Sequence, residues 1–313
     1  MPTQDAGDPA ARPAAATPGG AGGGSAPAAG YQSSPRPTFD HPVAIPRSAT
    51  TRHVWGDEES GEVLDEIYVS SGKIHQLLFE LPPGGQFTHS PSFRTVFGAD
   101  EVLYVVAGTV AFAEPETGEV VRVESGEALY FGPGTWHHAF NWASCPAQVL
   151  EFFAPPPATG TSGTYAAQRP LLQNPRYCDD STLGEHIPGT TQARPPRRLT
   201  IVRDTDYRWQ IDGPGAVVLS GIIASTPHLT VAWSEVRGYS WSGWLSHGGD
   251  TSGYVLSGVL ALRVSGGTGR GWHRLTPGDG FYIPEGSRYQ VRNLAATNTV
   301  YLAGAAPSYR KAP

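Results

Sequence analysis

The chain has 313 residues, of which 39 are glycine and 29 proline, together more than a fifth. Both residues interrupt helices and populate turns, which excludes a helical bundle or a coiled coil. The net charge of −6 comes without any block of lysine or arginine, so nucleic acid and anionic membrane are excluded as main partners and a small molecule is expected. Two cysteines, Cys145 and Cys178, are too few for a disulfide framework or a cysteine-rich zinc site. No apolar stretch reaches the ~20 residues that span a bilayer, and an export signal is not visible at the N-terminus. A reduced, cytoplasmic setting is the expectation.

Residues 1–40 open the chain. Within the first 30, Ala, Gly and Pro fill 22 positions, too little apolar side chain to offset ordering entropy, so a disordered tail is predicted. From Val43 the texture changes to short apolar runs: Ile74–Leu81, Val102–Val106, Val120–Val123, Ala128–Phe131 and Val149–Phe153. Short strands about ten residues apart, with turns such as Pro115-Glu116-Thr117-Gly118 between them, predict an all-β sandwich or barrel. Residues 159–198 are rich in Pro, Gly, Thr and Arg and read as a linker with one short helix. The strand texture resumes at Leu199 and ends at Ala306, leaving 307–313 as a tail.

The two β segments repeat each other. Glu101–Ala111 aligns with Thr251–Ala261 at an offset of 150, keeping Tyr104/Tyr254, Val105/Val255, Gly108/Gly258 and Ala111/Ala261. Gly126–Asn141 aligns with Gly278–Asn293 at an offset of 152. The repeated glycines fall at strand ends, where positive φ or close approach is needed. The hairpin turn Glu114–Glu119 recurs at Gly266–Gly271.

These blocks resemble the two motifs of the cupin superfamily, and the tandem layout resembles a bicupin. Gly126, Gly134, His137 and Asn141 keep the spacing of the second motif, with Gly132 where that motif has proline. Glu101 and Gly108 keep part of the first, and Pro83-Gly84-Gly85 leads into His89. His89 is followed at i+2 by Pro91, and twelve positions separate it from Glu101, a loop about six residues longer than usual. The resemblance implies two tandem jelly-roll β-barrels, a metal-binding N-terminal cupin domain over 41–158 and a C-terminal one over 199–306.

In the first domain the resemblance implies one divalent metal ion held by His89, Glu101 and His137, with His138 as a substitute for His137. Two imidazoles and a carboxylate suit Fe(II), the favoured ion, and also Mn, Ni or Zn, leaving open positions for a substrate and O2. Glu101 could also serve as a catalytic base. Arg94 and Thr95 in the long loop, with Trp136, Phe140 and Asn141 of the second motif, are candidate substrate contacts. The second domain has Thr251 and Tyr289 where the first has Glu101 and His137, so its metal site is degenerate. The expected activity is a metal-dependent dioxygenase for a small aromatic or polyketide-like metabolite, with a homodimer allowed. A non-oxidative isomerase, cyclase, lyase or decarboxylase and a non-catalytic small-molecule-binding cupin are the alternatives.

Overall fold

The computed structural model describes residues 32–156, 162–180, 197–212, 215–265 and 272–310. Its regular structure is almost all strand, with one α-helix, α1 (Ser162–Gln168), and two short 3-10 turns among the described residues.

The first module is a sandwich. Strands β2 (Thr51–Asp57), β3 (Gly61–Ser70), β4 (His75–Leu81), β6 (Asp100–Ala107), β9 (Ala128–Phe131) and β11 (Ala147–Ala154) form its large sheet, in the order β9-β6-β11-β4-β3-β2. A smaller sheet of β5 (Gln86–Phe87), β10 (His138–Phe140), β7 (Thr109–Glu114) and β8 (Glu119–Glu124) faces it. Alternation along each strand sends one set of side chains into the barrel. Leu103 and Val105 of β6, Val149 of β11 and Leu77, Phe79 and Leu81 of β4 meet Val110, Phe112 and Phe87 of the smaller sheet there.

The second module repeats this plan. Its large sheet has β13 (Arg208–Asp212), β14 (Val218–Ser225), β15 (Thr230–Val236), β16 (Asp250–Ser257), β19 (Gly280–Ile283) and β21 (Thr299–Ala306), and its small sheet has β17 (Leu260–Val264), β18 (His273–Leu275) and β20 (Tyr289–Asn293). The repeat extends to the backbone: Gly108 and Gly258 have φ of 81° and 80°. A Cβ on Gly108 would also lie 2.9 Å from Ala147 Cα, so no other residue fits this strand end comfortably. The predicted second hairpin tip, 266–271, lies outside the described residues, as do 1–31 and 311–313.

The outward faces of the two large sheets pack on each other. Leu78, Val102, Leu150 and Phe152 of one join Ile223, Val231, Tyr254 and Leu302 of the other in a single apolar layer. Each module also lends a strand to its neighbour: β1 (Val43–Ile45) pairs with β19, and β12 (Thr200–Val202) pairs with β9. Polar ties repeat on both sides of the layer. Ser71 and Tyr282 donate to Asp250, and Thr226 and Tyr130 donate to Asp100.

Two segments depart from the tail and linker expectation. Residues 32–42 run along the first module, with the Gln32 N–H donating to the Ser92 carbonyl and Arg36 donating to Ser70 Oγ and the Ser71 carbonyl. The stretch around Leu172–Cys178 lies against the smaller sheet, with Arg176 donating to the carbonyls of Pro115 and Glu116. No helix among the described residues is long and apolar enough to cross a membrane.

Candidate metal centre

Pairing of β6 with β11 sets Glu101 opposite Phe153 and Leu103 opposite Glu151. Glu101 and Glu151 are therefore two residues apart along neighbouring strands on the same inward face. His137 enters from the start of β10, where its backbone N–H donates to the Thr95 carbonyl. Ligand atoms of Glu101, His137 and Glu151 all lie within 4.8 Å of one another, and His137 Nε2 is 3.8 Å from Glu101 Oε2. Among the described residues this is the one group of three that could hold a metal ion.

The electrostatics of the group follow from burial. Glu101 is 1% exposed and its Oε2 has no hydrogen-bond partner. Burial, then the neighbouring Glu151 carboxyl, holds Glu101 well above the ordinary carboxylate range. Burial and the nearby Asp65 do the same to Glu151. Two carboxyls this close share a proton instead of both ionising. Burial lowers His137 to about 4, so its imidazole is neutral at pH 7. The 3.8 Å contact is therefore a meeting of two ligand atoms, not an ion pair. His137 Nδ1 faces the Thr135 carbonyl at 3.4 Å, leaving Nε2 to the cluster, and Phe131 packs 4.5 Å from the ring.

An orphaned buried carboxylate oxygen, a second carboxyl and a neutral imidazole nitrogen converging on one point fit a divalent cation. The cluster opens on a cavity of about 60 Å³ with largely apolar walls, among them Phe79, Phe87, Phe97 and Phe153, and it carries Asp65, His75 and Thr95. Asp65 is buried and held well above its ordinary range by that burial. His75 is 1% exposed, stacks on Phe153, and has no partner for either ring nitrogen.

The residues expected from the sequence divide between this cluster and other places. Glu101 and His137 come together, and Thr95 lines the cavity. His89 does not join them: its Nδ1 is 2.7 Å from His138 Nε2, and its Nε2 is 2.8 Å from the Leu172 carbonyl. His138 lies on the opposite side of the strand from His137 and bonds the Tyr177 hydroxyl. Trp136 packs on His89, and Phe140 packs edge-on against Tyr177. Arg94 turns away from the cavity, and its Nη1 donates to the carbonyls of Ala166, Ala167 and Arg169 at the end of α1. Asn141 spends its side chain on the backbone, donating to Leu81, Pro82 and Cys145 and accepting from Ala143. Its counterpart Asn293 makes the same kind of ties, to Val236, Thr297 and Ala295.

Glu151, Asp65 and His75 are the residues missed by sequence reasoning. Each is a titratable residue at an inward position of a strand that otherwise sends apolar side chains inward, a direction that strand pairing sets.

In the second module strand register aligns Ser220 with Asp65, Thr230 with His75, Thr251 with Glu101 and Ala303 with Glu151. Tyr289 stands for His137 and bonds His247. The five titratable groups of the first barrel are thus replaced by residues uncharged at neutral pH, and the metal-capable cluster has no counterpart there.

The profile of the cupin domain family matches residues 77–153 and 236–303. No curated protein sequence matches the chain. Among solved structures, a glyoxylate-induced protein of Pseudomonas aeruginosa superposes with a TM-score of 0.60 at 13% identity, covering 90% of this chain and 94% of that one. An oxalate decarboxylase of Bacillus subtilis gives 0.56 at 15% identity, covering 91% and 80%. The formate complex of the Lactobacillus farciminis oxalate decarboxylase gives 0.55 at 12%, covering 92% and 90%. At such identities the likeness is one of fold. With two matched domains and the repeated barrels joined back to back, the chain belongs to the cupin superfamily and is a bicupin.

Proposed function

We propose that this bicupin is a metal-dependent enzyme acting on a small molecule by non-oxidative chemistry, with its site in the first barrel. The observation that carries this is the buried convergence of Glu101, His137 and Glu151 on a largely apolar cavity. Those three residues would hold the ion, with His137 through Nε2. When bound, a divalent cation supplies Lewis-acid polarisation of a substrate oxygen. The chain's own groups do the rest. The apolar walls exclude water, and Asp65, held well above its ordinary range by burial, can exchange a proton beside the cluster. The donor set supports the non-oxidative alternative over the oxygenase expectation, because one imidazole with two carboxylates is harder than the two-imidazole, one-carboxylate set of oxygen-activating iron sites. Mn(II) therefore leads Fe(II), Ni(II) and Zn(II) in this reading. Neighbours that include oxalate decarboxylases agree with a lyase, isomerase or decarboxylase.

The test is metal analysis of the purified protein beside Glu101→Gln, Glu151→Gln and His89→Ala. The first two should lose most of a stoichiometric divalent metal, and His89→Ala should keep it. Unchanged metal in both glutamine variants would sink the assignment. Oxygen uptake stoichiometric with turnover would restore the oxygenase reading.

A further inference from the structure

The cavity beside Glu101, His137 and Glu151 is walled mainly by strands of the barrel, but part of its lining comes from outside. Ser33 and Ser34, from the segment that precedes β1, line it together with Asp65, His75 and Thr95. Core strands open only at close to the free energy of global unfolding. The segment over Gln32–Pro37 is built differently.

Its attachments are few and lie at its two ends. At one end the Gln32 N–H donates to the Ser92 carbonyl at 3.0 Å. At the other, Arg36 Nη2 donates to the Ser71 carbonyl at 3.0 Å, its Nε reaches Ser70 Oγ at 3.5 Å, and the Ser70 N–H donates to the Pro37 carbonyl at 2.7 Å. Between these ties Ser33, Ser34 and Pro35 make no hydrogen bond among the described residues. No side chain of 32–37 belongs to an apolar cluster, and the first that does is Phe39, which packs on Tyr282 at the layer between the barrels. A segment held by so few contacts opens at a small fraction of the global unfolding free energy.

The two anchors belong to different parts of the rim. Ser70 and Ser71 form the corner that leads into β4, which starts at His75. Ser92 belongs to the long loop that brings Thr95 and Phe97 to the cavity. The segment therefore bridges the mouth, and the extra length of the loop between His89 and Glu101 supplies one of its anchors. Pro35 and Pro37 keep it extended, while Phe39 fixes the end about which it turns.

We propose that Gln32–Pro37 is a strap that closes the active cavity and lifts to let substrate in and product out, with Arg36 as its latch. This rests on the reading that the cavity is the active site, and it adds control of access to that site. Closed, the strap shuts the cavity from bulk water, with Ser33 and Ser34 as part of the wall. Freeing Arg36 speeds exchange through the mouth and leaves the metal-capable residues untouched.

His75 reports the opening. It lines the cavity, is buried, and has no partner on either ring nitrogen, so diethyl pyrocarbonate, which acylates neutral imidazole, reaches it only when the protein opens. Labelling of the full-length, chelator-treated protein at pH 7 is followed by peptide mass spectrometry. Arg36→Ala should speed labelling of His75 about tenfold, the effect of removing roughly one hydrogen bond from the closed state. Arg176→Ala, which frees the segment on the outer face of the smaller sheet, should leave the His75 rate unchanged. In the wild type the rate should depend weakly on urea below the unfolding transition, because lifting so short a segment exposes little surface. An unchanged rate in Arg36→Ala, an equal acceleration in Arg176→Ala, or a urea dependence as steep as that of global unfolding would each overturn the proposal. The urea series needs no variant. Absence of metal from the wild type would defeat the reading of the previous section alone, while the labelling rates would still decide this one.

Discussion

Replacing His75 with leucine should make the protein more tolerant of acid, by an amount the structure sets. His75 is fully buried without a partner, and burial lowers its pKa to about 3. The same group titrates near 6.5 in an unfolded chain. A folded-state pKa below the unfolded value means that, as pH falls through 6.5, the unfolded chain takes up a proton that the folded one refuses. The stability associated with neutral His75 is therefore complete above about pH 7 and lost progressively below it. Between pH 6.5 and 5 the gap is about 1.5 units, or about 2 kcal/mol at 1.36 kcal/mol per unit. At pH 8 the leucine variant should match or exceed the wild type, because removing two unpartnered nitrogens offsets the lost stacking on Phe153. Urea unfolding of the chelator-treated proteins at pH 8 and pH 5 measures both effects. The advantage of His75→Leu should grow by about 2 kcal/mol at the lower pH. An equal difference at the two pH values would refute the reasoning, because it would mean that His75 is solvated or paired in the folded state.

Two further substitutions test features away from the cluster. Arg94→Ala removes the donor shared by three carbonyls at the end of α1 and should cost about 2 kcal/mol. Limited proteolysis should then cut faster within 162–180, while metal content stays at the wild-type level; loss of metal would return Arg94 to the site. Gly253→Ala places a Cβ 2.2 Å from Phe281 Cζ in the second barrel, and overpacking of this kind costs about 1–3 kcal/mol. Its denaturation midpoint should fall with no effect on metal binding, and an unchanged midpoint would show that Phe281 moves aside freely.

Glycine spacing and strand length made the two barrels legible in the sequence, because a strand end that needs positive φ restricts its residue type sharply, as at Gly108 and Gly258. Glu101 and His137 were legible through the same spacing. His89 was not, for a physical reason: β5 ends at Phe87, so the inward and outward alternation cannot be carried on to His89, which leaves the barrel wall to meet His138 and Leu172. Glu151 was hidden inside an apolar run. Its inward direction follows only from the pairing of β11 with β6 and β4, and strand register is a tertiary fact. The packing of residues 32–42 is likewise long-range. Pro35 and Pro37 favour an extended chain, but only the Ser70–Ser71 corner, more than thirty residues away, supplies the partners that hold it.

The doubled architecture bears on how such a site persists. Asp65, His75, Glu101, His137 and Glu151 put five titratable groups inside one barrel, each held away from its ordinary pKa chiefly by burial. Every one of those shifts is stability given up at some pH. The aligned positions of the second barrel hold Ser220, Thr230, Thr251, Tyr289 and Ala303, several paired with one another or with a neighbour, as in Ser220–Ser234 and Ser225–Thr230. That barrel has no buried carboxyl at these positions, its burial-shifted groups there being His247 and Tyr289, and it can lend support. The connection is direct, because β12 closes the edge of the first module's large sheet at β9, and β1 of the first segment closes the second module's sheet at β19. Opening the first barrel would thus strip an edge from its own sheet and expose the apolar layer shared by both. The interior of one module is thereby coupled to that of the other, which is a physical reason for the two barrels to remain attached.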